Sequence, residues 1–212
     1  MLCFLTSCGT TGQTNDAAVK QPLTDRVQAA VVETQESVIG ALPAEIAGFK
    51  STEPVANREK KQRGAGFTRV YTAGDIVATV FVYNNQSFNV SEEPDAEMEV
   101  LMDKHLQEIM SYQDSGLYTN VDAGTKNLRE FSWKAVKYQV LETEVTFSQR
   151  GENKKSLLVL GANKELMSYV RIRYTYPKEK QAEINKKHGV FTRTVMTALH
   201  NFAQAQKAPA GK

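Results

Sequence analysis

The chain has 212 residues, 41% apolar and 24% charged, with a net charge of only +2. Those values exclude a disordered polypeptide, and there is no global basic field to demand nucleic acid. A chain of this length buries about 70% of its unfolded surface as one domain without disulfide staples. Its two cysteines, Cys3 and Cys8, precede the body, which therefore has no disulfide, thiolate nucleophile or cysteine-based zinc site.

In chain order, the first feature is Leu5-Thr6-Ser7-Cys8 followed by Gly9. A short apolar lead and small residues before a free thiol read as a bacterial lipobox. Its processing leaves Cys8 as an acylated first residue. A secretory signal carries a cationic start and roughly 7–15 apolar residues, whereas only seven residues precede Cys8 and none is Lys or Arg. The reading therefore expects the true start to lie upstream of Met1. Residues 9–22, rich in Gly, Thr, Gln and Asn, suit a tether. No run of 18 apolar residues follows, so no spanning helix is predicted.

From 24 to 39, Val27, Val31, Thr34 and Val38 repeat with the period of one helical face, with Thr24 as N-cap. Residues 49–56 read as an edge strand because of Pro54, 57–66 as a polar turn, and 67–72 as an alternating strand. Residues 76–83 are apolar on both faces, as in a central strand covered on each side. Residues 94–112 form a helix with Pro94 in its first turn and a stripe of Met98, Leu101, Met102, Leu106, Ile109 and Tyr112.

Strands follow at 117–121 and 127–131, then a long one at 133–147 whose change of apolar parity predicts a bulge. The chain returns through 156–160 and turns again into 166–176. There Val170, Ile172 and Tyr174 face one way and Tyr169, Arg171 and Arg173 the other. Pro177 stops that strand, and 178–206 is a helix weakened in its middle by Gly189. The predicted class is α+β, an antiparallel sheet flanked by helices. The predicted organisation is a truncated signal at 1–8, tether and first helix at 9–41, a sandwich domain at 42–206, and a tail at 207–212.

Several constellations have a chemical reading. His105 and His188 lie on the apolar stripes of two helices, which a sheet between them would separate by more than about 10 Å. Both are expected as bonded core or boundary residues, and His200 as solvated. No HExxH-type spacing occurs, so no metal is predicted. Glu92, Glu93, Asp95, Glu97 and Glu99 form a solvated helix start rather than a calcium loop. Glu142 and Glu144 share a strand face and, with His105, could serve a hydrolase of cell-envelope material; opposite Lys154 and Lys155 they read instead as an exposed charged ladder. Gly64-Ala65-Gly66 lacks a dinucleotide or P-loop pattern. Neither catalytic residues nor a cofactor are predicted. The candidate binding surface consists of Arg58, Lys60, Lys61 and Arg63 in one loop, with Tyr169, Arg171 and Arg173 on one strand face. In an anchored protein the loop could touch anionic headgroups.

The run from Leu42-Pro43 to Gly48-Phe49, the hairpin into 76–83, the helix at 94–112, the meander at 133–176 and the closing helix resemble the PsbP/DcrB-like group of α+β sandwich domains. The resemblance covers residues 42–206 and implies a non-catalytic accessory or binding role, often lipid-tethered, with no motif residues to carry over. The resulting expectation is a monomeric domain held at a bacterial envelope membrane by acylated Cys8, facing the periplasm and an unknown envelope protein or small ligand. Gly9, in place of the aspartate that retains enteric lipoproteins at the inner membrane, points to the outer one. A soluble cytoplasmic adaptor is the alternative.

Overall fold

A computed structural model describes residues 23–133 and 136–207. The lipobox with Cys8, the tether and the tail from 208 onward lie outside the described residues. The elements run α1 (Leu23–Gly40), β1 (Glu45–Ile46), β2 (Phe49–Ser51), β3 (Ala56–Asn57), β4 (Phe67–Ala73), β5 (Ile76–Tyr83) and α2 (Ala96–Asp114). They continue with β6 (Thr119–Ala123), β7 (Asn127–Trp133), β8 (Val136–Gln149), β9 (Glu152–Asn163), β10 (Ser168–Pro177), a 3-10 turn and α3 (Gln181–Lys207). The strands form one antiparallel sheet in the order β1-β2-β4-β5-β10-β9-β8-β6, with β3 on β4 and β7 on β8.

The sheet is covered on both faces because its central strands put large apolar residues on each side. One core joins Val38 and Ile39 of α1 and Ile184, Phe191, Val195 and Leu199 of α3 to Val80, Val82, Val170, Ile172 and Tyr174 of the sheet. The other joins Met98, Leu101, Met102 and Ile109 of α2 to Leu141, Leu158, Leu160 and Tyr169. Thus α1 and α3 cover one face and α2 the other.

Helix α1 belongs to the packed body, so the boundary expected at 42 falls inside it. Its buried stripe is Gln28, Val31, Gln35, Val38 and Ile39. Thr24 lies within the helix rather than capping it. Its C-terminal end is closed by Arg69 of β4, whose Nη1 donates to the carbonyls of Ile39, Gly40 and Leu42, a cation at the negative end of the dipole. In α2 the N-cap is Asp95, which accepts from Met98 N at 2.9 Å, so Pro94 precedes the cap.

The expected strand at 49–56 is split by the Pro54 region into β2 and β3, and the two-residue β1 was not foreseen. The expected bulge in the long strand is absent: β8 pairs without a shift to β7 (Asn127↔Glu142 to Trp133↔Val136) and to β9 (Leu141↔Leu160 to Gln149↔Glu152). Its apolar parity changes because the cover changes, from the α3 side at Tyr138 and Val140 to the α2 side at Leu141, Val145 and Phe147. The register shift lies instead in β6, between Thr119 and Asp122.

Pairing of β8 with β9 ends at Leu141↔Leu160, although both strands continue, β8 back to Val136 and β9 on to Asn163. Beyond that point the β7–β8 hairpin and the β9–β10 hairpin part. Gly161 sits at the fork, where a Cβ would come within 3.0 Å of Met196 Cε and Val140 Cγ1.

Two glycine substitutions separate close approach from helix entropy. Gly66 has φ 61°, and a Cβ there would lie 2.0 Å from Val82 O and 2.7 Å from Tyr83 Cα. Gly66→Ala is expected to cost about 3 kcal/mol. On Gly189 of α3 a Cβ meets only the end of Arg129 at 3.8 Å, so Gly189→Ala is expected to stabilise by roughly 0.5–1 kcal/mol. Urea denaturation of the two variants checks both signs.

Candidate functional site

The basic loop lies between β3 and β4, and its shape is set by one acid. Glu59 is turned inward: Oε1 accepts from Gly64 N at 2.8 Å and Oε2 from Gly66 N at 3.0 Å. The glycine amides that could have cradled an external anion are thus occupied by the chain's own carboxylate. Asn57 Oδ1 accepts from Lys60 N and closes the first turn of the loop. Arg58, Lys60, Lys61 and Arg63 are left exposed on the outside.

This loop is fastened to α1. Gln28 Nε2 donates to Glu59 Oε1, and Gln28 and Asn84 exchange hydrogen bonds of 3.3 and 2.8 Å in a buried setting. Arg63 pairs with Asp25 at 2.7 Å with both side chains about half exposed, a geometry worth at most about 1 kcal/mol. Gln28 and Gln35 were passed over in the sequence because a buried amide has no local signal. Gln35, likewise buried, donates to Ser168 Oγ at the start of β10.

The strand half of the expected binding surface is not on the surface. Tyr169 is 1% exposed, and the Arg171 side chain is only 11% exposed. The alternation of β10 is the one its sequence predicts, but α2 lies over this face. Arg171 stacks on the Phe81 ring at 3.9 Å and donates to His105 Nδ1 at 2.6 Å and to Glu108 Oε2 at 2.9 Å. With Nδ1 accepting, Nε2 carries the imidazole proton and donates to the Tyr83 oxygen at 2.6 Å. Arg173 donates to Ser156 Oγ and to the Tyr118 hydroxyl.

Burial pushes His105 below its ordinary value and Tyr83 above its own. Glu108 is held down at about 2 by the His105 imidazole and the Arg171 guanidinium, against its partial burial. Both imidazole nitrogens are engaged, so this row of groups ties α2 to the sheet and leaves no free base.

Glu142 and Glu144 share a face of β8, as expected, but it is the α3 face, and His105 is on the other. The three residues of the hydrolase alternative do not meet. Glu142 is 13% exposed, not part of an open ladder: Arg129 Nη1 lies 3.1 Å from its Oε2 and His188 Nδ1 lies 4.0 Å from its Oε1. Glu144 pairs with Lys155 at 2.6 Å and accepts from the Tyr176 hydroxyl, while Lys154 turns to Glu152. Burial lowers the His188 pKa, and its Nδ1 has no hydrogen-bond partner among the described residues. Each carboxylate is thus neutralised by a neighbouring cation. In the acidic segment before α2, Asp95 caps the helix and Glu99 pairs with Lys126, as a helix start does.

The fork between β8 and β9 holds a cleft of about 90 Å³, lined by Glu92, Lys137, Tyr138, Asn163, Glu165 and His200 among others. His200 is not fully solvated as expected: it stands edge-on to the Tyr138 ring with centroids 6.3 Å apart. Glu165 is held by Lys207 and Gln204 at the end of α3. Among the described residues no three His, Cys, Asp or Glu side chains converge as a cation would need, and no described helix is long and apolar enough to cross a membrane. No family model matches the chain, and no curated protein matches it.

The two buried imidazoles give stability a defined pH dependence. Both titrate below their ordinary 6.5 because burial disfavours the charged ring. Between 6.5 and the lower folded value the unfolded chain binds more protons, so stability falls as pH falls through that window. Glu108 acts further down: its contribution is present above its ordinary 4.5 and is lost as pH falls toward about 2. The melting temperature is expected to drop from pH 7 to pH 5, with a shallower slope in His105→Gln/His188→Gln; circular-dichroism melts across that range check it.

Proposed function

We propose that this protein is a bacterial lipoprotein whose α+β sandwich is a non-catalytic binding or accessory module, displayed at the envelope by an acylated Cys8. The observation that carries the reading is the Leu5-Thr6-Ser7-Cys8-Gly9 sequence, fourteen residues ahead of a body whose first helix starts at Leu23. Two or three acyl chains make such attachment stable, whereas one is marginal. The arrangement of helices on both faces of an antiparallel sheet is compatible with the PsbP/DcrB-like resemblance, and the accessory role rests on that likeness.

The site geometry supports binding over catalysis. His105 is closed in by Arg171 and Glu108, and Glu142 beside His188 is paired with Arg129 of the neighbouring strand, so these charges are taken up within the fold. Two surfaces open to a partner are the loop 58–63 and the cleft at the β8–β9 fork, both at the end of the sheet where β4 starts and β5 and β9 end. The partner is an envelope protein or a small polar ligand, met by a monomer in the periplasm, with the outer membrane favoured by Gly9.

Metabolic labelling with palmitate in the native host tests the anchor. The wild-type chain is expected to carry label and to fractionate with membranes, and Cys8→Ala to do neither. Intact-mass measurement of a full-length product with an unmodified Cys8 thiol would overturn the proposal.

A further inference from the structure

We infer that the loop 58–63 is a docking surface for the anionic headgroups of a phospholipid bilayer, orienting the domain with this end toward the membrane. The inference rests on the lipid-anchor reading and adds to it a protein surface that contacts the same bilayer.

The first support is placement. The loop is fastened to the opening turns of α1 by Arg63–Asp25, by Gln28–Glu59 and, one layer deeper, by Gln28–Asn84. The chain arrives at α1 from Cys8 through residues 9–22. Fifteen residue steps span at most roughly 50 Å when extended and about 20 Å as a random coil. An acyl anchor therefore holds the beginning of α1, and with it this loop, close to the lipid. Tethering at that range converts a weak contact into an intramolecular one at high effective concentration.

Charge is the second support. Arg58, Lys60 and Lys61 are exposed and make no ion pair among the described residues, and Arg26 is exposed one turn into α1. The loop's one acid, Glu59, is folded inward onto Gly64 and Gly66, so residues 58–63 carry four cations against a single carboxylate and the cations face outward. A protein of net charge +2 thus presents, on the α1 side of this end, three cations in four consecutive positions that make no ion pair among the described residues; the acids of 92–97 sit on the other side of the sheet, where Asp95 caps α2. Each cation near an anionic bilayer is worth about fivefold in partition.

The third support is apolar. Leu23, at the start of α1, is 73% exposed, and Phe88 is 38% exposed. Phe88 follows closely on Asn85, whose N–H donates to the Gly64 carbonyl at 2.9 Å, and Leu23 stands two residues before Asp25, the partner of Arg63, so both residues lie on segments fastened to the loop. Exposed apolar residues beside lysine and arginine suit the boundary between headgroups and acyl chains.

Co-sedimentation of the full chain carrying Cys8→Ala, which cannot be acylated at that position, tests the surface separately from the anchor. The chain is expected to bind vesicles of equal parts phosphatidylcholine and phosphatidylglycerol, to ignore pure phosphatidylcholine, and to be released at about 1 M salt, where screening is complete within ~3 Å. Arg58→Gln/Lys60→Gln/Lys61→Gln is expected to weaken binding roughly 100-fold with an unchanged melting temperature. Lys178→Gln, exposed at the opposite end of the sheet, is expected to bind as before. Equal binding to both vesicle types, no binding to either, or undiminished binding of the triple variant would overturn the docking surface. Since the vesicle assay uses unacylated chain, its failure would leave palmitate labelling of Cys8 unaffected, and absent labelling would leave the vesicle result standing.

Discussion

A sheet whose middle strands carry large apolar side chains on both sides must be covered twice, and the rest of this molecule follows from that requirement. Strands β5, β9 and β10 present Val80, Val82, Val159, Val170 and Ile172 to one side and Leu158, Leu160 and Tyr169 to the other. Each buried aliphatic side chain contributes about 1.5–3 kcal/mol when removed from water. Neither face can be left open, so α2 is drawn to one and α1 with α3 to the other. The placement of every polar group then becomes a question of which layer closes over it.

Two charged clusters show what closing over a polar group demands. Beneath α2, Arg171 is enclosed with His105, Glu108 and Tyr83. Beneath α3, Glu142 is enclosed beside His188, with its partner Arg129 half exposed at the rim. Buried ions are costly unless paired: α2 supplies His105 and Glu108 to an arginine of β10, whereas the glutamate of β8 is paired by Arg129 of β7, which also meets His188 of α3 at 3.4 Å. These pairings hold each helix at one position along the sheet. They also explain why histidines that look inward in the sequence do not converge: each serves its own face.

The legible part of the fold was the part written in local periodicity. The doubly apolar run at 76–83, the stripe from Met98 to Ile109 and the closing helix around Phe191 needed no knowledge of neighbours. What could not be read depended on partners distant in the chain. Gln28 and Gln35 are buried because Asn84 and Ser168 meet their amides, which no window of sequence reveals. The parity change along β8 was legible, but its cause, a change of covering helix, was not. For the candidate surface, the loop 58–63 was found as a run of charge and stays exposed, whereas Tyr169, Arg171 and Arg173 were assigned the right side of the strand without sight of the helix above it. The inward turn of Glu59 was missed, because a single glutamate among lysines reads as solvated.

The fork between β8 and β9 divides an otherwise continuous sheet into two leaves. Among the described residues β8 before Leu141 is paired with β7 and not with β9, and the Met196 thioether rests over Gly161 at the fork. A thioether is the most yielding of apolar stoppers, and oxygen added to its sulfur would set a polar group into the seam. On this side of the fork the β7–β8 hairpin thus has no strand partner in β9 among the described residues, whereas β4, β5, β10 and β9 stay paired one to the next.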